Sequence, residues 1–326
     1  MAPPKARTAQ RAKTDSKPTV GSQSRNAVPN DQPKPFFPYL RYTSLVGVHA
    51  SLLAFTAVIL PRSAFADFST PAQYKTQRRD PMVVMTEAPW RTVAWMCLGS
   101  LVLQWWWAGW VREWRLEASV NMDTAVYGQD VPKEDEVQKV RRIMRQKEWD
   151  SQKPEVTWKA ALSTLVASVG FHVLIVLFGA PISSHPVQTY MLAVLLSLLT
   201  VWTPAYVLGP PIMAADSDSL VRRMTWIRLF AELSPRNPIE RSLVYPTIGA
   251  LLGCWAGVIP IGLDWERPWQ VWPLTPAWGA LSGYILGSLW ALLVTDLKEI
   301  VELGITARRD DEQARPSGKK AKQKST

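Results

Sequence analysis

The chain has 326 residues and a formal net charge of +10, with 37 Lys and Arg against 27 Asp and Glu. That length has room for two soluble domains, but the apolar residues are gathered into long uncharged blocks while the cations lie almost wholly between and outside them, the distribution a bilayer imposes. Membrane orientation therefore explains the charge better than nucleic acid does, and both cysteines, Cys97 and Cys254, fall inside apolar blocks, which argues against a disulfide and against a thiolate metal site.

In chain order, the first 35 residues are rich in Pro, Lys, Arg, Ser and Gln, and a disordered basic tail is expected over residues 1–42. Six uncharged apolar runs follow: Thr43 to Leu60, Thr92 to Val111, Ala160 to Ile182, Thr189 to Gly209, Leu243 to Leu263 and Pro276 to Thr295. At 1.5 Å rise per residue such runs cover roughly 27 to 35 Å, against a hydrocarbon core of about 30 Å. The predicted fold is all-α, a polytopic bundle of six transmembrane helices. Residues 43–111 hold the first two spans and residues 160–295 a four-helix membrane core.

After the first run, Ser63-Ala64-Phe65-Ala66 carries an A-x-A pattern that a signal peptidase would read, leaving five spans. The 42 residues before that run are much longer than a usual signal-peptide n-region, so an uncleaved anchor is expected. Residues 112–159 form a charged loop. Within it Lys133 to Asp150 reads as a surface helix, with Asp135 and Lys139 at i,i+4 and Val137, Val140 and Met144 on one side. The third and fourth runs are joined only by Ser183 to Gln188 and predict a tight helical hairpin. Residues 296–326 form a second basic tail ending Lys322-Gln323-Lys324-Ser325-Thr326. That ending is either a K-x-K-x-x retrieval signal for the endoplasmic reticulum or an accident of a Lys-rich tail.

Charge fixes the expected orientation. Residues 1–42, 112–159, 210–242 and 296–326 carry 31 of the Lys and Arg, and the opposite face carries 6. Both termini and the two longer internal loops are therefore predicted to be cytosolic.

Catalytic groupings are sparse. The three histidines, His49, His172 and His185, make no H-x-H or HExxH spacing, and there is no P-loop and no G-x-S-x-G. No cofactor and no metal site are implied. The apolar runs hold no carboxylate, which disfavours a proton-coupled transporter, and only His49, Gln104, His172 and scattered Ser or Thr are available to line a lipid-flipping groove. His172, in mid-span, is either a functional intramembrane group or a neutral imidazole hydrogen-bonded to a Ser or Thr of a neighbouring helix.

The last two runs are more informative. Gly249, Gly253 and Gly257 in the fifth, and Gly279, Gly283 and Gly287 in the sixth, each make GxxxGxxxG, placing glycines on one helix face where a second backbone can approach. These helices either pack on each other or offer a groove to a partner's transmembrane helix. Joining them, residues 264–275 form a short exterior loop with Asp264, Trp265, Glu266, Arg267, Trp269, Gln270 and Trp272 among rigid prolines. Arg267 can pair with Asp264 or Glu266. The Trp rings can anchor at headgroup level, where many of the 17 Trp of this chain are expected, or stack on sugar faces. Anchoring alone does not need the polar set.

The stretch Gly253 to Pro273, followed by Gly279-Ala280 and Gly283-Tyr284, resembles the signature of the Pig-F family of glycosylphosphatidylinositol (GPI) anchor biosynthesis proteins. The likeness extends back through Val176 to Pro181, Tyr206 to Gly209 and Arg228 to Phe230, and covers roughly Ala160 to Val294. Gly262 stands where the family's P-x-P-L-D-W pattern has a second proline. The resemblance implies a multi-pass, non-catalytic protein of the endoplasmic reticulum that stabilises the GPI ethanolamine phosphate transferases. Those partners attach ethanolamine phosphate to the second or third mannose of the GPI precursor. It leaves open that Asp264, Glu266 or Arg267 touches the glycolipid during transfer. The long basic N-terminal tail resembles a fungal member more than an animal one.

Overall fold

The computed structural model describes residues 37–62, 85–127, 135–181, 183–263, 265 and 267–314. Expectations for the N-terminal tail, Ser63 to Ala66, Asp264, Glu266 and the last five residues lie outside these. Among the described residues the chain is helical throughout, with no strand. We number the main helices α1 (Tyr39–Val58), α2 (Pro89–Tyr127), α3 (Asp135–Leu177), α4 (Pro186–Ser197, continued by a π-helical segment Leu198–Trp202 and by Thr203–Leu208), α5 (Ser217–Trp226), α6 (Pro238–Ala256) and α7 (Leu274–Ala314).

Among the described residues, five segments are long and apolar enough to cross a membrane: Tyr39–Arg62, Asp150–Leu177, Pro186–Leu208, Pro238–Gly262 and Leu274–Arg309. The second apolar run is absent from that set for a chemical reason. It contains Gln104 together with Trp95, Trp105, Trp106, Trp107 and Trp110, whose polar N–H groups lower its hydropathy. It is nonetheless one unbroken helix packed beside α1, with Tyr42 and Trp114 edge to face at 5.7 Å.

The helices run alternately up and down. Tyr39 donates to Glu299 Oε2 at 2.7 Å at one end of the α1–α7 pair, and Trp278 Nε1 donates to the Ala57 carbonyl at 3.1 Å at the other. These contacts make α1 and α7 antiparallel. Cys97 pairs with the Met191 carbonyl and Gln104 with Thr203, so α2 and α4 run parallel. The α3–α4 hairpin turns at Gly179, whose φ of +100° suits glycine. There the Ala180 N–H reaches back to the Ile175 carbonyl at 3.1 Å and closes the helix end. Pro186 then starts α4, its missing N–H costing nothing in a first turn. Helix α4 is the central post, with 83% of its apolar window buried against 17% for that of α3, whose outer face is apolar and uncovered.

Two elements differ from the sequence reading. The charged helix and the third span are one helix, Asp135–Leu177, running through Pro154. Asp150, Ser151 and Pro154 mark the place where a helix could have started afresh, but the helix continues through them, as a single interior proline can bend a helix without ending it. Helix α7 likewise continues past Thr295 to Ala314. The tryptophans differ as well. Trp107, Trp114 and Trp202 are 2%, 2% and 5% exposed and form part of the interior rather than an interfacial belt.

Candidate functional site

The six glycines meet at one interface. In the antiparallel pair α6–α7, a Cβ added at Gly253 would collide with the Gly279 carbonyl oxygen and lie 2.9 Å from Gly283 Cα. One added at Gly283 would collide with the Gly249 carbonyl and lie 3.0 Å from Gly253 Cα. The series continues at both ends, Gly287 against Pro246 and Gly257 against Pro276, with virtual Cβ to Cα distances of 2.8 Å in each case. Backbone faces backbone along the whole contact, so no side chain can move aside to admit a larger residue. These glycines face each other, leaving this groove filled from within the chain.

The tryptophan loop caps the same helix pair. Gln270 holds its shape: Nε2 donates to the Pro260 and Leu263 carbonyls at 2.6 and 2.8 Å, and Oε1 accepts the Arg267 backbone N–H at 2.8 Å. Trp272 Nε1 donates to Thr189 Oγ1 at 3.1 Å, which ties the loop to the first turn of α4. Trp265 and Trp269 meet edge to face at 5.7 Å, and Trp265 and Arg267 are exposed. The sequence grouping therefore divides. Gln270 and Trp272 bind the loop to the bundle, whereas Arg267 and the Trp265–Trp269 pair face outward. Beneath the loop lies an apolar cavity of about 690 Å³, lined by Phe171, Ile175, Leu192, Leu251, Trp255 and Trp272 among others. His185 and Ser184, 2.9 Å apart, sit at its rim.

His172 does not take the Ser or Thr partner expected of it. Its ring packs edge-on against Tyr190 at 5.8 Å, Nδ1 has no hydrogen-bond partner, and the nearby Ser168 hydroxyl pairs with the Tyr190 hydroxyl instead.

A buried polar junction was not legible in the sequence. Gln104 Oε1 accepts from Thr203 Oγ1 at 2.7 Å and from the Tyr284 hydroxyl at 3.1 Å, joining α2, α4 and α7. His49 of α1 stacks on Trp107 at 5.0 Å and meets Tyr284 edge-on at 5.9 Å. A single Gln inside an uncharged run was the available signal, but nothing in the chain's pattern names its partners. Outside the spans, Arg228 grips Glu240 through both guanidinium nitrogens, and that charged pairing holds the Arg228 proton still more firmly than usual. Glu240 also accepts the backbone N–H of Arg236 at 2.7 Å, closing the first turn of α6.

Comparison with known proteins gives this geometry a family. The human protein named GPI ethanolamine phosphate transferase, stabilizing subunit, is 38% identical over 129 residues, which is 40% of this chain and 54% of the human one. Proteins named glycosylphosphatidylinositol anchor biosynthesis protein 11 are 38% identical over 132 residues in Pyricularia oryzae and 39% over 130 in Debaryomyces hansenii. Those matches cover 40% of this chain in both cases, and 44% and 51% of the relatives. The chain thus spans about half the length of the curated relatives it matches. No solved structure matches it. Residues 79–292, which include the glycine interface, the tryptophan loop and the polar junction from Gln104 onward, match the GPI biosynthesis protein family Pig-F, and the chain belongs to that family.

Proposed function

We propose that this chain is a non-catalytic subunit of the endoplasmic reticulum membrane that stabilises a GPI ethanolamine phosphate transferase acting on the second or third mannose of the GPI precursor. The observation that carries the reading is the match to a relative named as the stabilizing subunit of that transferase, within a family match that takes in α6 and α7 as far as residue 292, and with them all six facing glycines. The chain crosses the membrane six times with both termini cytosolic. The alternation of α1, α2, α3, α4, α6 and α7 supports this, because leaving α2 outside the bilayer would break the alternation and expose a helix that is packed into the core. In this reading the rigid loop presents Trp265, Arg267 and Trp269 on the lumenal face. The guanidinium there recognises a carboxylate or phosphate of the partner or glycolipid through two parallel N–H donors.

The test is purification of the tagged chain in mild detergent. A transferase should accompany it at a fixed ratio, and the chain freed of that partner should not transfer ethanolamine phosphate to a mannosylated GPI precursor. Turnover by the isolated chain would overturn the accessory role. The apolar cavity beneath the loop favours a second reading, contact with the lipid of the GPI precursor. Recovery of GPI lipid with the purified chain, lost when Trp255→Asp places a charge at the cavity wall, would support it.

A further inference from the structure

The connection from α5 to α6 carries a serine that the accessory role does not use. A π-helical segment, Ile227–Ala231, continues α5, and α6 begins at Pro238, so residues 232–237 form a short non-helical link. Leu233 has a φ of +51° there, a conformation that a leucine keeps only where its surroundings hold it. Arg228 does the holding. Its carbonyl accepts the Ser234 N–H at 3.1 Å, and its Nη1 donates to the Ser234 carbonyl at 2.8 Å. Leu233 is 51% exposed, so packing does not account for the strained turn. The turn leaves Ser234 exposed and followed directly by Pro235.

A serine before proline on exposed, irregular backbone has the form a proline-directed protein kinase accepts. The proline keeps the serine out of helical geometry and brings no N–H of its own to be satisfied. The surroundings would also read the product. Arg228 grips Glu240 through Nη1 at 3.0 Å and Nη2 at 2.5 Å, and Glu240 accepts the backbone N–H groups of Arg236 and Asn237 at 2.7 and 3.4 Å. A phosphate on Ser234 Oγ would bring about two negative charges and three acceptor oxygens next to a guanidinium that already reaches the Ser234 carbonyl. Glu232 and Glu240 are like-charged neighbours, so the phosphate can settle there only by taking Arg228 as its counter-charge. Glu240 would keep its backbone bonds and lose the ion pair that ties the end of α5 to the start of α6.

We propose that Ser234 is a phosphorylation site for a proline-directed kinase, and that phosphate there takes Arg228 from Glu240 and loosens the α5–α6 junction. In the transfer the Ser234 oxygen bonds to the γ-phosphorus of ATP as the bond to the ADP oxygen breaks, and the hydroxyl proton passes to the base of the kinase. Access to ATP rests on the cytosolic placement of residues 210–242, which follows from six crossings with cytosolic termini.

The experiment incubates the full-length chain, with whatever partner it retains, in detergent with ATP, magnesium and a purified mitogen-activated protein kinase, and locates phosphate by mass spectrometry. Phosphate should appear on Ser234 of the folded chain. Ser234→Ala should abolish it and Pro235→Ala should cut it severalfold. Glu240→Gln removes the charge that pairs with Arg228 while its amide oxygen can still accept the Arg236 N–H. It should lower the melting temperature of the unmodified chain, and lower that of the phosphorylated chain much less, because the pair is already parted there. Absence of phosphate from Ser234 of the folded chain, unchanged labelling of Pro235→Ala, or an equal effect of Glu240→Gln on both forms would overturn the proposal. In sealed microsomes, ATP and kinase added outside should label Ser234 as well. Labelling that needs detergent would place the link in the lumen, and would overturn the site through the topology rather than through its chemistry.

Discussion

At the scale of single residues, the glycines of α6 and α7 make the sharpest prediction. Gly253→Leu or Gly283→Leu inserts a branched side chain where the nearest neighbours are backbone atoms, and overpacking of this kind costs about 1 to 3 kcal/mol. Thermal unfolding of the purified chain should fall accordingly, while Val258→Leu, at a half-exposed position, and Gly262→Ala, with no atom within 4 Å of the added Cβ, should change little. In the loop, Gln270→Glu removes an amide that donates to two carbonyls, and loss of such bonds costs about 1 kcal/mol each. Its effect should therefore be a destabilised loop, read as faster proteolysis between Leu263 and Trp272. Arg267→Lys should leave folding intact yet lower surface display of a GPI-anchored reporter, because the planar two-pronged donor becomes a point charge. The glycine spacing was readable because residues four apart share one helix face, although the spacing left open whether that face meets the other glycine helix or a partner's, which the fold resolves within the chain. The division of labour in the loop was not, since composition places Gln270 and Arg267 side by side and only the fold shows that one of them faces inward.

At the scale of elements, the absence of charge over bilayer-length stretches located the apolar runs, whereas helix length was misjudged wherever charge was taken as a boundary. Charge ends a membrane span but not a helix, so α2, α3 and α7 all extend beyond the bilayer-length segment. The buried junction at Gln104 was invisible for a different reason. Its partners Thr203 and Tyr284 lie far away in the chain, and nothing local distinguishes them from other Thr and Tyr. Gln104→Leu should remove the acceptor for two buried hydroxyls and lower stability by about 1 to 2 kcal/mol, in the range of interhelical hydrogen bonds in membranes. Tyr284→Phe added to Gln104→Leu should cost much less than Tyr284→Phe alone, a non-additivity that a double-mutant cycle in detergent will measure. Additive losses would mean that the junction does not act as a unit.

For the whole molecule, alternating helices and the charge asymmetry together predict that tags at both termini and in the α2–α3 connection are reached from the cytosol. A tag between Trp265 and Pro273 should be protected until the membrane is breached, and cytosolic access to it would reverse the topology. A bundle of this design has a closed interior seam at α6–α7 and broad apolar outer faces on α3 and α7, where Val166, Val173, Leu286 and Trp290 are exposed. Such faces suit lipid or a partner's transmembrane helix. The most direct test of the central claim is the abundance of the GPI ethanolamine phosphate transferases in membranes of cells depleted of this chain, at unchanged transcript levels. The account predicts that at least one transferase falls severalfold and returns when the parent chain, but not Gly253→Leu, is restored. Unchanged transferase levels in depleted cells would contradict it.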